Sequence, residues 1–360
     1  MPAVVLGHRP GPAAWSRYAR FVRVPDLYAD PRAWAERLAE CGGAEDSPPV
    51  AFPTEDAACL ALEFHHGIVG ERVRPVYPSP GMIERVLDKR RLYTVARQVG
   101  IDLPVVLDVT TPDDAAALNA GEWIVKPPCR YRMTDEGIRS FRHDVGPSKA
   151  VGGKPADAVA AVLAARYPVM VQECIPGGFE TLVTAAVALG RDGEIVDAFA
   201  ARKRFEYPEP FGDGLIVELI KDPGVIDPAV ELLRALDFWG MCDVEFKLDA
   251  RDGRLCLLDA NPRPWLWLGL GTRNGHHLAL AAYNAACGAE IPPRVAPRAR
   301  RFRWVSPRGT LGFLAKSYRP GRHGWRLPLT LLAGAAETLA DNLRTFRDPI
   351  YLKPSSWSSR

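Results

Sequence analysis

Residues 243–263, DVEFKLDARDGRLCLLDANPR, decide the fold. They read as two strands joined by a tight turn. Alternation along the first strand sends Val244, Phe246 and Leu248 to one face. Asp243, Glu245 and Lys247 go to the other. Arg251-Asp252-Gly253 supplies the turn, with glycine free to take a positive φ. If Ala250 pairs with Arg254, counting back along both strands sets Glu245 opposite Asp259. Like charges directly opposite each other destabilise a sheet, and a divalent cation between them reverses the sign of that effect. Asn261 adds a third oxygen on the same face, and Arg263 follows two residues on. Two carboxylates and an amide are hard oxygen ligands, suited to Mg²⁺ or Mn²⁺ rather than Zn²⁺. An arginine beside them points to a phosphate. The competing reading, a solvated hairpin with scattered charge, does not explain the convergence on one face. The inference hangs on register, because a one-residue slip moves every side chain to the opposite face.

The chain has 360 residues, enough for two or three packed units, and an ordinary globular composition of 47% hydrophobic and 25% charged residues. The start lacks a basic region ahead of its short apolar run, so no secretory signal is expected. Leu327–Ala340 is apolar but too short for a membrane span and contains Glu337. Seven cysteines without CxxC spacing argue against a disulfide framework or zinc site. They fit a reducing cytoplasm and, for the most part, small core positions. His65-His66 and His276-His277 are sequence neighbours, which do not share a helix face, so neither pair resembles a metal clip. The net charge of +3 conceals an asymmetry: between Glu290 and Glu337 there are ten Lys or Arg and no acid. Either an anionic partner or a basic surface packed on an acidic body would account for it. The second is favoured, since charge runs are usually solvated faces. No aromatic-interleaved basic motif indicates a nucleic-acid partner.

Working outward, residues 1–85 read as a short α/β unit. Ala3–Gly7 and Pro49–Phe52 are expected as strands of one parallel sheet, with helices over Pro31–Cys41 (ended by Gly42-Gly43) and Glu55–Phe64. Residues 85–100 form an amphipathic helix that Gly100 terminates. Strands follow at Ile101–Leu107 and Glu122–Lys126, with a helix opened by Thr111 and Pro112 between them. Cys129–Lys154 is polar and glycine-bearing and reads as a mobile loop with at most one strand. Next come a helix at Pro155–Arg166 and a strand at Val169–Cys174. A hairpin of Leu182–Leu189 with Ile195–Arg202 follows, then a helix over Asp227–Leu236. After the acidic hairpin comes a helix at His276–Cys287. Pro292, Pro293 and Pro297 mark a boundary, and the basic tail carries an amphipathic helix near Leu329–Leu343.

Six segments, DKRRLYTVARQVGIDLP, WIVKPP, VMVQECIPGGFE, AFAARKR, DVEFKLD and LLDANPRPW, occur in an order that resembles the ATP-grasp superfamily over roughly 200 residues. The nearest look-alikes are carboligase-type members related to biotin carboxylase and D-amino-acid ligases. The resemblance implies an α/β and α+β architecture in which two α+β subdomains clasp ATP. It divides the chain into a short N-terminal unit over 1–85, an ATP-grasp domain over 86–290 and a basic extension over 291–360. The small subdomain would span about 110–175 and the large one about 176–290. It also assigns roles. Lys126 would donate to the α and β phosphates, where the alternative is a surface lysine. Gln172 or Glu173 would accept from the adenine amino group while the Ile175 backbone pairs with the ring, and Glu180 would take the ribose hydroxyls. Lys203, flanked by Arg202 and Arg204, would reach the γ-phosphate. Lys89 would lie near the phosphates or form a structural salt bridge. Glu245, Asp259 and Asn261 match the Mg²⁺ (or Mn²⁺) ligands, with two ions expected, and Arg263 matches the arginine that steadies the γ-phosphate or acyl phosphate.

Three departures stand out. Asp259 replaces the usual Glu, shortening the ligand by about 1.5 Å. The loop after Lys126 lacks a tight glycine cluster, with Gly146 and Gly152-Gly153 coming late. The N-terminal unit is short, being either truncated at its start or reduced in this lineage. The implied reaction is phosphorylation of a small-molecule carboxylate by ATP, then displacement of phosphate by an amine or thiol. Arg130, Arg132 and Arg273 are the candidate holders of the substrate carboxylate, and Trp265 and Trp267 could shape its pocket or belong to the core. A small-molecule kinase and a non-catalytic nucleotide-binding module are the alternatives. A homodimer is compatible with the resemblance.

Overall fold

The acidic hairpin forms one edge of a six-stranded antiparallel sheet. From that edge the strands run Leu255–Asn261, Gly240–Leu248, Leu182–Leu189, Ile195–Tyr207, Asp213–Ile220 and Arg303–Val305. The chain is described by a computed structural model covering residues 3–16, 18–42, 48–119, 122–145, 153–208, 212–289, 302–323 and 325–347. The strand Leu182–Leu189 has small residues, Ala185, Ala186 and Ala188, at full burial. They let helices Ile226–Ala235 and Leu278–Cys287 pack against the sheet, where apolar burial supplies most of the stabilisation.

Glu245 does pair with Asp259, and Asp243 with Asn261. The route to that register differs from the expected one. Ala250 does not pair with Arg254. The turn is one residue longer, with Asp249 N–H donating to Arg254 O at 2.8 Å. The Asp249 carboxylate, which accepts from the Arg251 backbone at 2.9 Å and from its guanidinium, holds this wider turn. A bulge at Leu258 then restores the register, and the Tyr93 hydroxyl donates to the Leu258 carbonyl at 3.1 Å.

A three-stranded antiparallel sheet, ordered Val106–Leu107, Met170–Glu173, Trp123–Lys126, faces the large one. Alternation divides its central strand. Met170 enters the core of the large sheet, whereas Val171 belongs to a separate core with Val125, Phe141 and Val159. The helix expected after Thr111 is a single 3₁₀ turn, Pro112–Ala115, closed by a capping box with Asp114.

Residues 129–145, the described first part of the expected loop, are ordered instead into a hairpin and a short helical turn. Tyr131–Thr134 and Gly137–Ser140 form a β-hairpin. It docks on the N-terminal region through Ile138 N–H to Tyr28 O at 2.9 Å, with Ile138 buried among Leu27, Ala57, Ala58 and Ala61. Gly146 and Gly152 lie outside the described residues, as do Gly43 and Pro292, Pro293 and Pro297. Gly137 has φ +117°, and a Cβ there would sit 2.2 Å from Tyr28 O. Gly137→Ala is therefore expected to undock the hairpin at a cost of at least about 1 kcal/mol. Limited proteolysis should then cut faster between residues 129 and 145 while the large sheet stays protected.

The N-terminal strands form two separate parallel pairs rather than one sheet: Ala3–Gly7 with Ala19–Arg23, and Val50–Ala51 with Arg74–Pro75. Pro49, Pro53 and Pro75 lack the N–H groups that would extend the second pair. The described part of the basic segment, 302–323 and 325–347, is built onto the large sheet. Arg303–Val305 adds its last strand, and helix Leu327–Arg347 packs Leu327, Leu331 and Ala335 on Leu215, Ile216 and Phe313. Arg303 pairs with Glu218 at 3.2 Å, so part of that charge does meet an acid of the body, and the body's Arg273 pairs with Asp341 of the tail helix at 3.0 Å. No helix among the described residues is long and apolar enough to cross a membrane. Cysteines are less internal than expected: Cys59, Cys242 and Cys256 are buried and the other four are not.

Candidate active site

One face of the large sheet gathers the acidic hairpin's polar side chains, because Thr184, Glu245 and Asp259 share a cross-strand row and Asp243 and Asn261 share another. Lysines meet the two opposed carboxylates. Lys89 Nζ lies 2.7 Å from Asp259 Oδ1, and Lys203 Nζ lies 3.1 Å from Glu245 Oε1. Lys89 opens helix Lys89–Gln98, whose first turn is capped by Asp88 accepting from Arg90 N–H at 2.9 Å. Its own N–H donates to Pro128 O, which ties the helix to the end of the small sheet. Lys203 projects where the strand Ile195–Tyr207 bulges, between Lys203 and Phe205.

The electrostatics follow from burial and partners. Burial alone would raise the Asp259 carboxyl, but Lys89 and Arg130 outweigh it and hold Asp259 well below the usual carboxylate range. Burial likewise opposes the Lys203 charge, and Glu245 and Asp243 overcome it, so its pKa rises. Asp243 is only 2% exposed. Burial and the neighbouring Glu245 push its carboxyl up to about 7, although the Thr184 hydroxyl donates to it. Asn261 Nδ2 stands 3.5 Å from the other Asp243 oxygen.

Arg263 is clamped from two sides. Its Nε donates to Asp56, at the start of helix Asp56–Phe64, and its NH2 reaches Asn261 Oδ1 at 3.4 Å. Burial lowers its pKa, but Asp56 more than compensates. Arg130, whose side chain is partly exposed, lies in the combined field of Asp259, Asp56 and Glu245, which raises its pKa against desolvation. Lys126 ends its strand within the field of Asp259.

Of the adenine and ribose candidates, Gln172 and Glu173 end the central strand of the small sheet, and Ile175 and Glu180 follow it in sequence. Gln172 is buried, with its Oε1 3.1 Å from the Tyr93 hydroxyl. Glu173 turns the other way, pairing with Arg251 at 2.6 Å and accepting from Val105 N–H. Ile175 is buried, and Glu180 lies in a 3₁₀ turn folded against Gly178. Lys89, Lys126, Lys203, Glu245, Asp259, Asn261 and Arg263 thus converge. Arg202 and Arg204 do not share the face of Lys203; they line a cleft with Glu218, which accepts from Arg204 at 2.5 Å. Arg132 donates to Arg166 O, and Arg273 pairs with Asp341, so of the three arginines proposed for a carboxylate only Arg130 meets the cluster. Trp265 and Trp267 are core residues, 7% and 4% exposed, with ring centroids 5.3 Å apart. Sequence reasoning missed Asp56 altogether and placed Asp243 on the right face without a role.

Among the described residues no three His, Cys, Asp or Glu side chains form a metal cluster. An ion here would rest on two carboxylates and an amide. The chemistry fits: Glu245 Oε2 and Asp259 Oδ2 have no hydrogen-bond partner among the described residues, and both are hard oxygens on one face.

No family model matches the chain, and no curated protein matches it. Solved structures do. The ADP complex of purK, an N5-carboxyaminoimidazole ribonucleotide synthetase, is similar with a TM-score of 0.62 and 16% identity, over 87% of this chain and 78% of that one. The biotin carboxylase domain of Hydrogenobacter thermophilus 2-oxoglutarate carboxylase, in complex with MgADP, ADP and bicarbonate, gives 0.56 and 14%, over 82% and 65%. Rhizobium etli pyruvate carboxylase gives 0.55 and 14%, over 75% of this chain, which spans about a quarter (26%) of that longer protein. At such identities the likeness shows the fold, and the fold is ATP-grasp.

Proposed function

We propose that the chain is an ATP-dependent ligase that joins a small-molecule carboxylate to an amine, or to a thiol, in the cytoplasm. The observation that carries this reading is the opposed Glu245–Asp259 pair, with Lys203, Lys89 and Arg263 on one sheet face. Such a surface suits a triphosphate better than a neutral ligand. Glu245, Asp259 and Asn261 would hold Mg²⁺, in one or two ions, which when bound offsets negative charge on the β and γ phosphates. Two structures of similar fold are described as complexes with ADP or MgADP, which supports a nucleotide ligand.

Arg263, with its orientation fixed by Asp56 and Asn261, meets the γ-phosphoryl group as it moves. Its planar guanidinium binds two oxygens at once, which a lysine cannot do. Lys203 leaves Glu245 to take a third oxygen. The substrate carboxylate oxygen attacks phosphorus, the bond to the β-γ bridging oxygen breaks, and ADP departs. Arg130 holds the acyl phosphate, the amine attacks its carbonyl carbon, the bond from that carbon to the phosphate oxygen breaks, and the departing phosphate takes up the proton the amine gives up. Fixed positive charge at the transferring group lowers the barrier electrostatically. Lys126 grips the α and β phosphates, Gln172 or Glu173 with the Ile175 backbone reads adenine, and Glu180 takes the ribose.

Hydroxylamine trapping tests this. Protein with MgATP, hydroxylamine and pooled carboxylates should form a hydroxamate and phosphate that depend on one carboxylate. ADP with a stable phosphorylated product would instead establish a kinase. Binding of MgATP with neither product from any pool would favour a nucleotide-binding module.

A further inference from the structure

The back of the large sheet holds a cleft of about 830 Å³, within the range of small-molecule sites. Its walls are the strands Ile195–Tyr207, Asp213–Ile220 and Arg303–Val305 on one side and helix Leu327–Arg347 on the other. Arg202, Glu218 and Arg303 lie in one cross-strand row there. Lys203, the next residue after Arg202, projects from the opposite face to Glu245. The cleft is thus separated from the phosphate site by the thickness of the sheet.

Its charge is unbalanced. Arg202, Arg204, Lys221 and Arg303 line it against two acids, Glu218 and Glu337. Glu218 is already shared, accepting from Arg204 Nε at 2.5 Å and pairing with Arg303 Nε at 3.2 Å. Arg202 Nε is buried and has no hydrogen-bond partner among the described residues. A buried donor left unpaired is costly, and an anion would satisfy it. Beyond the cations the lining turns apolar, with Ile216, Leu219, Ile220 and Phe302. The helix wall is Ala333-Gly334, and a Cβ on Gly334 would lie 2.4 Å from Val305 Cγ2. Only glycine lets the helix approach the sheet that closely, which fixes one end of the cleft.

We propose that this cleft is a second binding site, for an amphipathic anion: one carboxylate or phosphate held by Arg202 and Arg303, with an apolar body against Ile216 and Phe302. It is independent of the reaction proposed above, and it can fill while nucleotide occupies the other face.

Calorimetric titration of the full chain with octanoate and octyl phosphate tests the site, with octanol and inorganic phosphate as controls. One equivalent of at least one amphipathic anion should bind, and the tighter of the two identifies the headgroup. Arg202→Gln should weaken binding at least about tenfold, which is 1.4 kcal/mol. Ala333→Trp, at an exposed helix position, should abolish it by filling the cleft with all cations in place. Thermal melts check that both variants fold, and saturating MgATP should leave binding in place. The proposal is overturned if octanol or inorganic phosphate binds as tightly as the amphipathic anion. Displacement by MgATP, unaltered binding in a folded Ala333→Trp variant, or no binding of either probe at about 1 mM would also overturn it.

Discussion

Lys89→Met is expected to destabilise the chain by about 3–5 kcal/mol in metal-free buffer, and Mg²⁺ to recover part of that loss. Lys89 is 8% exposed and its ammonium sits against Asp259 Oδ1. Removing it leaves a desolvated carboxylate facing Glu245 across the hairpin, with Arg130 as the remaining strong compensation. The double variant Lys89→Met, Asp259→Asn should lose much less, because the uncompensated charge goes with its partner. The acid limb has a definite sign. Asp259 is held below its unfolded value, so its contribution is present above about pH 4 and fades as pH falls further. In Lys89→Met that fading should shrink. Urea melts over this range, with and without Mg²⁺, measure all three effects. If Mg²⁺ raises the midpoint of Lys89→Met more than that of the unaltered chain, lysine and ion compete for one carboxylate. Equal shifts would make Lys89–Asp259 a structural pair and remove Asp259 from the metal ligands.

The opposition of Glu245 and Asp259 was legible because strand alternation and a short turn leave few registers. Its derivation nonetheless rested on two compensating irregularities, a turn one residue longer and a bulge at Leu258. The first is held by a local side-chain contact, Asp249 with Arg251, and the second by a tertiary one, Tyr93 with the Leu258 carbonyl. No pattern of apolar residues encodes either. The ordered motifs placed Lys89, Lys126 and Lys203 in sequence, but not what each faces. Pairing of Ala201 with Thr184, itself opposite Glu245, decides that Lys203 two residues on turns to Glu245, while Arg202 takes the other side of the strand. The polar segment after Lys126 was misjudged because its hairpin earns stability from Leu27, Ala57 and Ala61 far upstream rather than from its own side chains. Asp56 left no signal at all: it lies 207 residues from Arg263, on a helix whose spacing announces only an apolar face. The tail's place in the sheet was missed for the same reason, since a strand partner that distant in sequence is set by packing.

Arg263→Ala should lower the rate of ADP formation by at least about 10²–10³-fold while leaving the affinity for MgATP within a few fold. The arginine sits beyond Asn261 at the end of the acidic hairpin, and in the proposed reaction its planar fork meets charge that develops only as the phosphoryl group moves. Arg263→Lys should recover little, since a point charge cannot replace bidentate geometry. Asp56→Asn separates chemistry from architecture. Asn keeps an acceptor for Arg263 Nε but removes the charge, so the guanidinium stays near its place with weaker restraint. A fall of about tenfold in kcat with unchanged KM for ATP is expected, which is a positioning effect worth about 1.4 kcal/mol. The pair also bridges helix Asp56–Phe64 to the hairpin, with side chains 12% and 17% exposed, so a structural role is a real competitor. The two roles diverge in one comparison. If Arg263 only pins the N-terminal helix, the activity lost in Arg263→Ala and in Asp56→Ala must track the stability each one loses. If Arg263 meets the phosphoryl group, Arg263→Ala loses far more activity than Asp56→Ala at matched stability, because Asp56→Ala leaves the guanidinium in the site and Arg263→Ala does not.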